Sequence, residues 1–414
     1  MTDVDAAFAR WGDHDRDDPY GVFAAAQQLG PVHRVTLGDG HSAWVIVSYD
    51  LARDALNDAR FSKNMHAAFS EGTDVAEGLP GPALAKHMLA VDPPDHTRLR
   101  RLVSSEFTPR RVETLRPRVE GIVSELIDGL AAAEPGPPVD LVSSFAFPLP
   151  FTVISELLGV APDDRTALGH ELTTLLSPTP TDEAWARAKQ ASDAVIAMLT
   201  RLVEQKQAEP ADDLVSGLLE ARDEEGKLDQ QELLSTIFQL IVAGHDTTTS
   251  LIGNGVVALL DHPDQLAALE ADDSTTDAAI EELLRFDAPV PHATFRFAST
   301  DVEIGGVTIP RGDQVLVSLA AANRDAARFA APDELDFSRD GPRHLAFGHG
   351  IHFCLGAPLA RMEGRLALRA LFDRFPELRL AVPREELRWG HGDGVVLRGL
   401  SELPVVLGPE SIDG

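Results

Sequence analysis

The run from Phe347 to Gly356, Phe-Gly-His-Gly-Ile-His-Phe-Cys-Leu-Gly, holds Cys354, the only cysteine in 414 residues. A lone cysteine cannot close a disulfide within the chain. Glycines at 348, 350 and 356 set it in a tight backbone turn with few side chains in the way. Such a turn presents one sulfur to something large and flat, and haem is the physical candidate. A thiolate ligand pushes electron density onto iron and favours O–O cleavage, and N–H groups of a glycine-rich turn can hydrogen-bond the sulfur and tune it. Two other readings are open to the same residues. An isolated Cys is commonly a small buried hydrophobe. His349, His352 and Cys354 also offer zinc three ligands, but without a fourth or the paired spacing of a structural zinc site.

Two further stretches carry chemistry. In Ala243-Gly-His-Asp-Thr-Thr248 an acid, Asp246, stands beside an alcohol, Thr247. That pairing can relay protons into an apolar pocket. The plain alternative is a threonine bonded back to its own helix and an aspartate facing solvent. In Asp92-Pro-Pro-Asp-His-Thr-Arg-Leu-Arg-Arg101, His96 and Arg100 at i, i+4 share one helical face. Two donors on one face can clamp a pair of carboxylates, or they are solvated charges on an ordinary amphipathic helix.

The elements that must hold these residues are legible in part. Asp229 and Glu232 form a capping box, with Leu228 and Leu233 as a hydrophobic staple. The helix they start runs to about Leu260, and about 30 residues give roughly 45 Å, enough to cross the whole molecule. Gly244, followed by residues that compete for backbone hydrogen bonds, predicts a local widening or kink at its middle. Pro93 and Pro94 mark the start of the His96 helix. Ala357 to Phe375 reads as an amphipathic helix after the cysteine.

Asp18-Pro-Tyr-Gly opens a short helix, and Val32–Leu37 with Ala43–Ser48 read as a hairpin around residues 38–40. Lys63 to about Ala90 has no period and predicts a long irregular loop. Residues 112–207 are largely helical, broken at 135–138, 147–150 and 177–182, with the apolar run from Pro148 read as plain core. Glu282 and Arg285 can pair at i, i+3 on a helix over 277–286. Strand-like pieces follow at Ala293–Ala298, Val302–Ile309 interrupted by Gly305-Gly306, Asp313–Leu319 and about Val395–Leu400.

Length alone predicts two or three domains, and 44% hydrophobic residues suffice for a core that encloses a cofactor. A net charge of −30 argues against nucleic acid or anionic membranes as partners. Neither a signal peptide nor an apolar stretch of ~20 residues is present, so a cytoplasmic protein is expected. Within this acidic chain lie two basic islands. One holds Arg98, Arg100, Arg101, Arg110, Arg111, Arg116 and Arg118, the other Arg361, Arg365, Arg369 and Arg374. They are either internal ion pairs or a docking surface.

The order Phe-x-x-Gly-x-His-x-Cys-x-Gly at 347–356 resembles the haem-binding signature of the cytochrome P450 family at every defined position. Ala243–Thr247 resembles that family's oxygen-activation motif, Asp92–Arg101 its propionate-binding helix, and Glu282-x-x-Arg285 with Arg339 its buried structural triad. The resemblance covers nearly the whole chain and implies one domain over 1–414, mainly α with a smaller β region. Haem b would lie between the long central helix and the cysteine loop. It implies Cys354 as axial ligand and Asp246 and Thr247 as the proton-delivery pair. His96, Arg100, Arg296 and His352 would anchor the propionates, with Phe347, Gly348, Gly356 and Ala243 against the cofactor and Val290, Pro291, Ala293, Val395 and Val396 along the substrate.

The implied activity is insertion of one oxygen atom from O2 into a bulky, mostly apolar small molecule. A macrolide or polyketide of secondary metabolism is the expected substrate, and terpenoids or steroids are the alternative. No reductase segment is visible, so a ferredoxin with its reductase is the expected electron donor, the protein itself being a monomer. A peroxide-driven haem enzyme and a non-catalytic haem binder are the competing classes, and the intact acid–alcohol pair speaks against both.

Overall fold

The computed structural model describes residues 11, 18–37, 40–64, 84–132, 137–176, 181–225, 228–341, 343–389 and 396–408. Helix α1 (Tyr20–Leu29) leads into the antiparallel pair β1 (Val32–Thr36) and β2 (Ser42–Ile46), then α2 (Tyr49–Asn57) and β3 (Phe61–Ser62). The helical half comprises α3 (Asp95–Ser104), α4 (Pro109–Ala131), α5 (Pro148–Leu158), α6 (Pro162–Leu176), α7 (Asp182–Ala208), α8 (Leu214–Glu225), α9 (Gln230–Asp261), α10 (Pro263–Ala271) and α11 (Thr276–Phe286). Short β4 (Val139–Asp140) and a wide π-type turn over Val142–Ala146 lie between α4 and α5. After α11 come β5 (Arg296–Ala298), the hairpin β6 (Val302–Ile304) and β7 (Val307–Ile309), β8 (Gln314–Val317) and α12 (Leu319–Asn323). The cysteine turn, α13 (Ala357–Arg374), β9 (Arg379–Leu380) and β10 (Pro404–Val406) close the chain.

The fold is mainly α with small sheets, as expected. A five-stranded sheet has the order β1-β2-β8-β5-β3, in which only β2 and β8 run parallel, and β4-β10-β9 form a second sheet. No single helix among the described residues is long and apolar enough to cross a membrane.

The whole structure is arranged about α9, 32 residues long and buried along most of its length because helices pack on several sides of it. Its capping box is present, and Leu228 and Leu233 are both in the core. Arg98 of α3 donates to Glu232 from Nη2 at 2.6 Å and Nη1 at 3.1 Å, and Lys86 pairs with Asp229. The start of the central helix is thereby tied to the segment carrying His96.

The expected widening at Gly244 is absent: α9 runs unbroken from Gln230 to Asp261. A Cβ at Gly244 would meet Ile154 Cγ1 of α5 at 2.9 Å, so the glycine serves the close passage of two helices. Gly364 does the same between α13 and Leu251 of α9, where a Cβ would also find 2.9 Å. Along the unbroken helix the polar side chains bond back to its own carbonyls, Thr247 Oγ1 to Ala243 O and Ser250 Oγ to Asp246 O, both at 2.9 Å.

The Glu282 carboxylate accepts from Arg285 Nε and Nη2 at 2.7 and 2.8 Å and from Arg339 Nε at 2.9 Å. Arg285 also donates to the carbonyls of Asn323, Pro332 and Glu334. This triad welds α11 to the stretch leading into the cysteine turn.

Two strand expectations are corrected. Of 293–298 only Arg296–Ala298 forms a strand. Of the final β-rich stretch, Val395 lies outside the described residues, and 396–400 makes one bridge, Leu400 to Trp389. Its backbone bonds elsewhere: Arg398 N–H donates to Pro289 O, and Arg398 O accepts from Asn254 Nδ2 of α9. With both of its backbone groups used this way, Arg398 has none left for a ladder.

Candidate active site

Cys354 is half-buried at the end of a turn shaped by its neighbours. Its N–H donates to Phe347 O at 2.9 Å, Gly348 and Gly350 take φ of 70° and 74°, and a Cβ at Gly350 would strike Leu56 O at 2.9 Å. L side chains strain at both positions, so the glycines are needed. Helix α13 starts three residues after the cysteine, and the N–H groups of Gly356 and Ala357 bond toward the sulfur. Burial pushes the thiol up, while those N–H groups, Arg100 and Arg361 pull the other way. A bound metal ion would tip that balance, since a coordinated thiol is deprotonated. Phe347 lies beneath the guanidinium of Arg361, 4.5 Å from its ring centroid, and Arg361 pairs with Glu281.

Beside the turn is a cluster of buried donors. His96 of α3 and His352 of the turn meet edge to face with centroids 4.4 Å apart. Both His96 nitrogens and His352 Nδ1 are buried without a hydrogen-bond partner among the described residues, the His96 ring lying beside the Ile351 carbonyl without bonding geometry to it. Arg296, brought in by the pairing of β5 with β8, is 3% exposed, and among the described residues its side chain donates only to Thr294 O, at 3.2 Å. Burial lowers it to about 10, even with Asp92 opposing. His352 is driven far below the usual imidazole range, first by burial and then by His96, Lys63, Arg296 and Arg100. Buried polar groups are normally paired, so donors gathered from three segments with atoms unspent fit a di-anionic group such as the two carboxylates of a haem.

Arg100 also makes a contact that the sequence did not suggest. Its Nη2 donates to Phe353 O at 2.8 Å, tying α3 to the cysteine turn itself. The sequence reading also missed Lys63. Its buried ammonium donates to Thr294 O, Thr294 Oγ1 and Phe295 O, its N–H donates to Asp92, and it thereby fixes the strand that carries Arg296. A lysine at the edge of an irregular run gives no local sign of this.

On α9 the burial is interrupted at the acid–alcohol segment: Ala243 is exposed, and Val242, Gly244, Asp246 and Thr247 are half-buried, in a helix otherwise closed from Glu232 to Leu259. Asp246 Oδ1 lies 3.0 Å from His245 Nε2. Of the expected substrate-lining residues, Pro291 and Ala293 are buried, Val290 and Val396 half-buried, and Val395 outside the described residues. Ala293 N–H donates to Val317 O and Ala320 N–H to Pro291 O, so this segment is pinned to β8 and α12. Among the described residues no three His, Cys, Asp or Glu side chains could hold a metal ion between them, which leaves the zinc reading without support.

A mainly α fold sets one cysteine at the foot of a helix, with backbone N–H groups on its sulfur and buried donors with unspent atoms beside it, an arrangement that a thiolate-ligated cofactor would fit. Comparison with known proteins agrees. The cytochrome P450 family model matches residues 11–385. The chain is 49% identical to the cytochrome P450 monooxygenase PikC of Streptomyces venezuelae over 94% of this chain and 91% of that one. It is 42% identical to the mycinamicin IV hydroxylase/epoxidase of Micromonospora griseorubida over 93% and 95%. Among solved structures, the tirandamycin C-bound P450 monooxygenase TamI superposes with a TM-score of 0.86 at 42% identity, covering 99% of both chains.

The chain belongs to the cytochrome P450 family. It is accordingly a monooxygenase, an oxidoreductase of a family that uses a haem held by a thiolate and electrons from redox partners.

Proposed function

We propose that the protein, one domain over 1–414, holds haem b on Cys354 and oxidises a bulky, mostly apolar natural product of the macrolide or polyketide type. The observation that carries this reading is the set of orphaned buried nitrogens on His96 and His352 beside the cysteine turn. Arg296, His96 and His352 would take the haem carboxylates, and Arg100 would share them while holding the turn. Phe347, Gly348 and Gly356 shape the sulfur's surroundings, and Ala243 supplies the small side chain on the opposite side.

Haem bound there supplies the redox chemistry that divides O2, one oxygen going to substrate and the other to water. The chain's part is proton traffic and orientation. Thr247 Oγ1, whose proton is on Ala243 O, accepts from a water with its lone pairs and so fixes that water. Asp246 exchanges protons with solvent. Val290, Pro291, Ala293 and Val396 give the substrate an apolar wall that keeps bulk water out. Support for the substrate class comes from relatives that hydroxylate or epoxidise macrolides and polyketides. Electrons would come from a ferredoxin and its reductase, with the protein a cytoplasmic monomer.

The test is a titration of purified holoenzyme with macrolides, linear polyketides, terpenoids and steroids, read as the low-spin to high-spin shift of the Soret band. A saturable shift with macrolides or polyketides is expected. A shift with steroids alone overturns the substrate class. A ferrous carbonyl spectrum of histidine type, or one unchanged in Cys354→Ser, overturns the ligand assignment.

A further inference from the structure

His245 has no role in the reading above, yet it is the most confined side chain of the acid–alcohol segment, 2% exposed. Nδ1 lies 2.7 Å from Ile241 O. A carbonyl only accepts, so Nδ1 carries a proton. Nε2 lies 3.0 Å from Asp246 Oδ1, and a lone pair there would face a carboxylate across hydrogen-bonding distance. The geometry therefore calls for a proton on both nitrogens. Burial alone would depress the imidazole, but Asp246 and the two hydrogen bonds outweigh it, and His245 titrates above its ordinary value.

The ring is also locked in place. Phe147 and Phe151, stacked on each other at 5.2 Å, both close edge-on against it at 5.4 Å. The π-type turn over Val142–Ala146 and Pro148 in the first turn of α5 set these two phenylalanines four residues apart on one face. The apolar run read from the sequence as plain core thus has a specific task. The charged or titratable neighbour of His245 is Asp246, because the α5 side offers only aromatic rings. Contact between i and i+1 is unusual on a helix, where neighbours point apart by about 100°, which sets the 3.0 Å approach of Asp246 to His245 apart from ordinary helix neighbours.

We propose that His245 is a positioning residue for proton delivery: clasped by Phe147 and Phe151, it holds the Asp246 carboxylate in one orientation beside Thr247. The proposal rests on Asp246 and Thr247 being the proton-delivery pair.

Two measurements on holoenzyme test it. In the diamagnetic ferrous carbonyl form labelled with 15N-histidine, the resonances lost in His245→Gln identify this ring. The expected signature is two protonated nitrogens at pH 7, replaced by one in Asp246→Asn. During turnover with a ferredoxin, its reductase and the compound giving the largest spin shift, the second measurement is the fraction of O2 released as hydrogen peroxide, with the solvent deuterium isotope effect on O2 consumption. His245→Phe, which keeps an aromatic ring without donors, should raise peroxide release about tenfold and enlarge the isotope effect. His245→Gln, which keeps an uncharged amide donor group, should fall between it and the parent, and the Phe variant combined with Asp246→Asn should be no worse than Asp246→Asn alone.

A singly protonated ring at pH 7 overturns the proposal, as does unchanged peroxide release in both His245 variants while Asp246→Asn releases more. If Asp246→Asn itself changes nothing, the proton-pair reading fails, and the positioning role with it.

Discussion

Glu363 of α13 is 1% exposed, and among the described residues neither carboxyl oxygen has a hydrogen-bond partner of good geometry. Burial pushes its pKa to about 8, with only the Thr248 hydroxyl favouring ionisation. The native acid therefore keeps its proton where the unfolded chain, near the ordinary value of 4.5, has lost it. The folded state binds more protons across that window, so stability falls as pH rises from about 4.5 to about 8 and levels off above. Glu363→Gln, neutral at every pH, should gain on the parent across the same window, reaching on the order of a few kcal/mol by pH 8 and almost nothing at pH 4. Denaturant unfolding at both pH values checks this, and a difference independent of pH would mean an ionised, partnered carboxylate. Nothing in the sequence marks Glu363, because a glutamate on an amphipathic helix reads as solvated. Cys354 was legible by contrast, because uniqueness and flanking glycines are properties of the chain itself.

At the scale of elements, two acid–base clusters join distant segments, and burial decides their weight. Arg98 and Glu232 tie α3 to the start of α9, but the arginine side chain is 29% exposed, so water screens the pair. Glu282 with Arg285 and Arg339 is enclosed, the side chains being 6%, 2% and 11% exposed. Removing one member there strands buried charge. Glu282→Ala should cost about 3–5 kcal/mol, against about 1 kcal/mol for Arg98→Ala. Shifts in urea midpoint measured on holoenzyme compare the two, and equal losses would refute the ranking. The capping box of α9 was readable because its partners are three residues apart. Arg98 stands 134 residues from Glu232 and Lys86 143 from Asp229, separations at which spacing carries no signal.

At the scale of the molecule, most of the basic islands are spent internally. Arg111, Arg116 and Arg118 pair with Glu106, Glu113 and Glu156, while Arg361, Arg365 and Arg369 pair with Glu281, Asp277 and Asp373. Arg101 and Arg110 are exposed, and no ion pair or hydrogen bond of their side chains is found among the described residues. They stand on α3, whose Arg100 grips the cysteine turn, and on α4, which packs against α13. Ile351 and Phe353 of that turn are 47% and 41% exposed. An acidic electron donor would therefore be steered by Arg101 and Arg110, a narrower set than the islands suggest. The double variant Arg101→Glu and Arg110→Glu should slow reduction by ferredoxin about tenfold at low salt and flatten its salt dependence. An unchanged stopped-flow rate would move the docking site elsewhere.

What the sequence determined alone was whatever local order encodes: the cysteine turn, the acid–alcohol segment, the capped long helix, the predominance of helix, and through them the family. Tertiary structure decided which groups meet. It gave Gly244 to helix packing where local propensity argued for a widening, because α9 and α5 pass so closely there that a Cβ would strike Ile154. It turned residues 396–400 away from a ladder, since the backbone of Arg398 bonds to Asn254 of α9 and to the loop at Pro289. It gathered Lys63, His96, Arg296 and His352 from four segments into one buried cluster, and set His245 between two phenylalanines and Asp246. Burial and cross-chain proximity fix the charge and direction of these groups, and both come into being only when the chain has closed on itself.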